Sequence, residues 1–70
     1  MMKKVAVFFA DGFEEVESLT VVDYLRRAEV TVDTISTTNK KSCLGAHGVE
    51  IVMDKLMKDI KLEYDGYIIP

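Results

Sequence analysis

Four residue types in this 70-residue sequence could carry chemistry, at Asp11, Glu17, Cys43 and His47. Glu17 is set apart by its position. At about 100° per residue, Glu17, Val21, Tyr24 and Ala28 fall in one narrow arc of a helix, with Leu25 beside it. That stripe is expected to face a sheet, so a carboxylate would sit on the apolar face in the helix's early turns. Glu15, Asp23, Arg26 and Arg27 fall on the other side, where charges belong. One reading has Glu17 snorkel to water or add favourable charge at the helix start. The other makes it a partly buried acid, its pKa raised by desolvation and lowered by the helix amino terminus. If burial dominates, the acid is protonated near neutrality and can exchange a proton with a neighbouring nucleophile.

The other candidates are weaker. A cysteine nucleophile needs a base and an activating environment. Cys43 has Lys40 and Lys41 nearby and His47 across a presumed hairpin, and reads as a half-buried strand cysteine or an incidental oxidisable thiol. His47, in the Gly45-Ala46-His47-Gly48 turn, reads as a turn or surface residue. Asp11 lacks the companion acidic pair that a magnesium-dependent phosphoacceptor needs, since Phe9 and Ala10 precede it. Asp11-Gly12-Phe13 matches no phosphate-cradling glycine fingerprint. One cysteine rules out an internal disulfide framework, and one histidine with it rules out a zinc site built from Cys and His. Nine basic against twelve acidic residues leave no electrostatic footprint for nucleic acid. No run approaches the ~20 apolar residues of a membrane helix. The expectation is a cytoplasmic chain with no nucleic-acid or membrane partner, no metal and no cofactor.

The elements that position these residues follow from pattern. Val5 to Ala10 is an unbroken apolar run that suits a strand buried on both faces. Asp11-Gly12 breaks it, and Asp11 with Glu14 has capping-box spacing. A helix should follow through about Ala28, its end unmarked by glycine. Val30 to Ser36 alternates and completes a right-handed βαβ unit. Short extended pieces at Ser42–Leu44 and Val49–Met53 predict a hairpin. Asp54 to about Lys61 reads as a short helix or helical turn, and Asp65 to Ile69 as a third buried strand ending at Pro70. Val16 and Leu19 are apolar residues on the charged side of the helix, which suggests a subunit interface.

The segment VAVFFADGFEEVESLTVVDYLRRAEVTVDTIS, continued through Cys43 and Gly48-Val49 to Tyr64-Asp65-Gly66-Tyr67-Ile68-Ile69-Pro70, resembles the opening of the ThiJ/PfpI superfamily. The likeness is to the branch of the Parkinson-disease-associated protein deglycase and its bacterial relatives, described as thiazole monophosphate biosynthesis proteins or intracellular proteases. It implies an α/β, flavodoxin-like (class I glutamine amidotransferase-like) three-layer sandwich. These 70 residues would be its amino-terminal portion: the βαβ unit, hairpin, short helix and third parallel strand. The rest of the domain would be the chain's first partner. The resemblance further implies a homodimer through the first helix and hairpin, and a catalytic cysteine on a sharp strand-to-helix turn. By position, Glu17 matches the glutamate that hydrogen-bonds that cysteine. The elbow cysteine, the Gly-Gly after the third strand and any histidine partner are not in this chain, and Cys43 does not match the elbow. Implied substrates are small reactive carbonyls such as methylglyoxal or its protein adducts, and alone the chain is expected to be inactive. A redox-responsive chaperone or a non-catalytic regulatory sensing domain is the alternative.

Overall fold

A computed structural model describes residues 3–61 and 63–69. β1 (Lys4–Phe9) is built from β-branched and aromatic residues. α1 (Glu15–Arg27) returns the chain to β2 (Thr31–Ser36), which pairs in parallel with β1 from Lys4–Thr31 to Phe9–Ser36. β3 (Ser42–Leu44) and β4 (Glu50–Val52) form a separate antiparallel hairpin. β5 (Lys55–Leu56) lies parallel to β2, a 3-10 turn spans Met57–Asp59, and β6 (Gly66–Ile68) lies parallel to β1. The four-stranded sheet has the order β5-β2-β1-β6. The expected βαβ unit, hairpin and third parallel strand are therefore all present. The 3-10 turn stands where a short helix or helical turn was expected, and Pro70, the expected end of the last strand, lies outside the described residues.

Segment 54–61 keeps only that single helical turn because tertiary pairing outweighs local preference at its start. Asp54 accepts hydrogen bonds from the Thr34 N–H (2.8 Å), the Thr34 hydroxyl (3.0 Å) and Arg26 (2.9 Å). That anchorage lays Lys55 and Leu56 along Ile35 and Ser36 as an edge strand. β6 is likewise less buried than expected. Tyr67 is exposed and stacks on Phe8, 6.1 Å between centroids, while Ile68 packs against the core.

The core lies between the sheet, α1 and the hairpin. Val7, Phe9, Phe13, Val22, Val32, Cys43 and Met53 form one buried cluster, with Phe9 and Phe13 edge to face at 5.0 Å. The face that α1 turns to this core is not the predicted one. Glu15, Ser18 and Val22 are buried and Leu25 packs beside them. Glu17, Tyr24 and Ala28 are exposed. The stripe is rotated by roughly a quarter-turn or more from its predicted place. Apolar periodicity misses it because two of its members, Glu15 and Ser18, are polar.

α1 ends without glycine in a complete Schellman arrangement. The Val30 N–H donates to the Leu25 carbonyl and the Glu29 N–H to the Arg26 carbonyl, both at 3.0 Å. Glu29 takes the left-handed position at φ 64°, a place usually given to glycine. Val30 and Leu25 both pack on the core, supplying the apolar contact that accompanies this cap.

Candidate active site

β1 sends its connection to β2 on one side, while β6 docks on the other side of β1. The strand order thus reverses between β1 and β6. In open parallel sheets, ligands bind outside the carboxyl ends of the strands at such a reversal. A notch of about 390 Å³ opens there, walled by the end of β1, the β1–α1 loop, Ser18, Thr37 and Ile69. Glu17 lines it from the first turn of α1. The Thr37 N–H and hydroxyl both donate to the Phe9 carbonyl, at 2.9 and 2.8 Å, and so fix the notch's rim behind β1.

Glu17 is exposed, which corrects the expectation of a carboxylate against the sheet. It faces the notch because the buried stripe lies elsewhere on the helix. Asp11 and Glu14 also line the notch. Asp11 is not a helix cap. Its Oδ1 accepts the Leu44 N–H of the hairpin at 2.9 Å, and the N-cap residue is Glu14, which makes no side-chain capping bond.

Cys43 and His47 lie apart from the notch. Cys43 is fully buried on β3, more so than the half-buried reading, with Sγ 3.4 Å from the Ser36 hydroxyl. His47 sits in the hairpin turn as predicted, its ring largely in solvent. What the sequence did not indicate is its partner. Glu15, expected among the surface charges, is only 7% exposed. Its carboxylate accepts the His47 N–H at 2.7 Å and the Val49 N–H at 3.3 Å, and lies 2.8 Å from His47 Nδ1. Burial pulls the Glu15 carboxyl upward, but the His47 ring and the surrounding backbone N–H groups outweigh it and hold the pKa at about 2. The bond to Glu15, with the charges of Glu14 and Glu15, raises the His47 pKa above its ordinary 6.5. The one legible sign was the Gly45–Gly48 turn, whose tight backbone brings the His47 and Val49 N–H groups to one point.

Glu14, Glu15 and His47 offer ligand atoms within 4.8 Å of one another, a grouping that could hold a cation. Both Glu15 oxygens already accept from the hairpin, at the positive end of a helix. The turn therefore works as an anion receptor that the protein's own carboxylate fills.

Residues 3–70 match the DJ-1/PfpI family. An uncharacterised protein of Staphylococcus epidermidis is 35% identical over 71 aligned positions, covering 100% of this chain and 41% of its own length. The putative cysteine protease YraA of Bacillus subtilis is 32% identical, with 100% and 42% covered. Among solved structures, oxidised DJ-1 of Toxoplasma gondii superposes with a TM-score of 0.93 at 35% identity, over 97% of this chain and 38% of that one. The chain thus spans about two fifths of the length of these relatives. With its parallel α/β sheet, its notch at the strand-order reversal and this match along nearly its whole length, the chain belongs to the DJ-1/PfpI family.

Proposed function

We propose that these residues form the amino-terminal portion of one DJ-1/PfpI-type domain and contribute Glu17 as the acid partner of a catalytic cysteine carried by residues beyond Pro70. The observation that carries this reading is the place of Glu17: a carboxylate aimed into the notch at the strand-order reversal, with no hydrogen bond to another protein group among the described residues. A cysteine on a strand-to-helix elbow would meet it there. The thiolate adds to the carbonyl carbon of a small reactive carbonyl, an α-oxoaldehyde or its protein adduct, and the carbonyl oxygen takes up a proton that Glu17 donates or shares. The YraA relative's name, a putative cysteine protease, agrees with a thiol-based site. A homodimer through α1 and the hairpin belongs to the same reading. Val16 is 74% exposed, and it lines a shallow groove with Leu19 and Val49.

The experiment is turnover of methylglyoxal by the full-length protein against its Glu17→Gln variant. A fall in kcat of at least ~100-fold is expected, the lower range for a general acid. Unchanged turnover would end the role given to Glu17. The second reading is a redox-responsive chaperone or sensing domain, favoured by the oxidised state of the Toxoplasma relative. It predicts no turnover in the wild type, with Glu17→Gln altering only how readily the elbow cysteine oxidises.

A further inference from the structure

The amino-terminal turn of α1 lacks the local device that normally fixes a helix start. Glu14 at the N-cap makes no side-chain capping bond, and Asp11 is turned to the hairpin. Hydrogen bonds to the hairpin anchor the turn instead, six in all with the Val49 N–H and His47 Nδ1 contacts of Glu15. The Leu44 N–H donates to Asp11 (2.9 Å), the Gly12 N–H to the Leu44 carbonyl (2.7 Å), the Ala46 N–H to the Phe13 carbonyl (2.8 Å) and the His47 N–H to Glu15 (2.7 Å). Glu15 is the only one of these groups that lies within α1 itself. Gly45 is part of the same fit, because a Cβ at that position would collide with the Glu15 carboxylate.

We infer that Glu15 is a positioning residue for Glu17: gripped by the hairpin turn, it fixes the first turn of α1 and so sets where the Glu17 carboxylate stands in the notch. The two residues point to different sides of the helix, about 160° apart. A change in the grip on one rotates or tilts the turn that carries the other. The catalytic consequence rests on the role proposed for Glu17, whereas the positioning itself does not.

The test uses the full-length protein and three variants: Glu15→Gln, Gly45→Ala and Glu17→Gln. Three quantities are followed: hydrogen exchange of the amides of residues 45–49, the Glu17 carboxyl titration by carbon NMR, and methylglyoxal turnover. Glu15→Gln should speed exchange of the turn amides at least ~10-fold, since an amide nitrogen replaces one acceptor oxygen. It should also displace the Glu17 titration and lower kcat at least ~10-fold with KM little changed. Gly45→Ala keeps the carboxylate but denies it its seat, and should act in the same direction. It also carries the test if Glu15→Gln does not fold. Faster amide exchange in either variant with the Glu17 titration as in the wild type would overturn the inference and leave Glu15 a support for the hairpin alone. If Glu17→Gln leaves turnover intact while Glu15→Gln still moves the Glu17 titration, the functional reading fails and the positioning stands.

Discussion

The two ends of α1 are finished by opposite means. The carboxyl end closes on itself, with Glu29 and Val30 satisfying the last carbonyls of their own helix. The amino end is left uncapped by its own sequence and is anchored by a hairpin some thirty residues away, through Glu15, Asp11 and their neighbours. A local cap tolerates change elsewhere in the molecule, while a long-range anchor transmits it. The end that borders the notch is the one that depends on distant residues.

The sharpest way to break this contrast is Gly45→Ala. An added methyl group against the buried Glu15 carboxylate should cost about 1–3 kcal/mol, the usual range for overpacking, measured by urea denaturation. A loss within experimental error would mean that the amino end does not need the hairpin. At the other end, Glu29→Gly should stabilise by about 0.5–1 kcal/mol. Relief of the left-handed conformation, worth roughly 1–2 kcal/mol, exceeds the extra chain entropy of glycine. A destabilised Glu29→Gly variant would show that the Schellman end also relies on its side chain.

The pH dependence sharpens the comparison further, because the amino end is held by a titrating pair, Glu15 and His47. The folded pKa of Glu15 is depressed to about 2, so its stabilisation is complete above its ordinary 4.5 and fades as pH falls toward 2. The folded pKa of His47 is raised, so its stabilisation is complete below 6.5 and fades as pH rises through the folded value. The grip should therefore be tightest between about pH 4.5 and 6.5, read as a maximum in melting temperature. His47→Gln should flatten the alkaline side of that maximum. The smallest effect on stability is expected for Glu17→Gln, within about 0.5 kcal/mol as for other surface substitutions. A cost equal to that of Gly45→Ala would erase the distinction between a gripped and a free carboxylate.

The sheet was legible in the sequence because its signals are local. Val5 to Phe9 could hardly be anything but a buried strand, and the alternation of Thr31 to Ser36 needs no partner to be seen. The hairpin was equally plain from its glycines. What escaped was the orientation of α1. Glu15 is buried because a turn supplies N–H donors to it, and no count of apolar residues along the helix can register a receptor built from residues 45–49. Tyr24 misled in the opposite sense, an aromatic that the wheel turned inward and the fold leaves 73% exposed. Glu17 was singled out from a stripe that is not the buried one. The helix nonetheless brings it to the notch, since the first turns of α1 follow directly from the carboxyl end of β1.

Cys43 is the only thiol in these 70 residues, and it is sealed on β3 within the core. A thiol reagent reaches it only when the hairpin lifts away from the sheet and helix. Its labelling rate is thus a built-in gauge of hairpin opening. Each tenfold slowing relative to the unfolded thiol corresponds to about 1.4 kcal/mol of closing free energy. A residue with no place in the notch reports, without any added probe, how firmly the notch's wall is held.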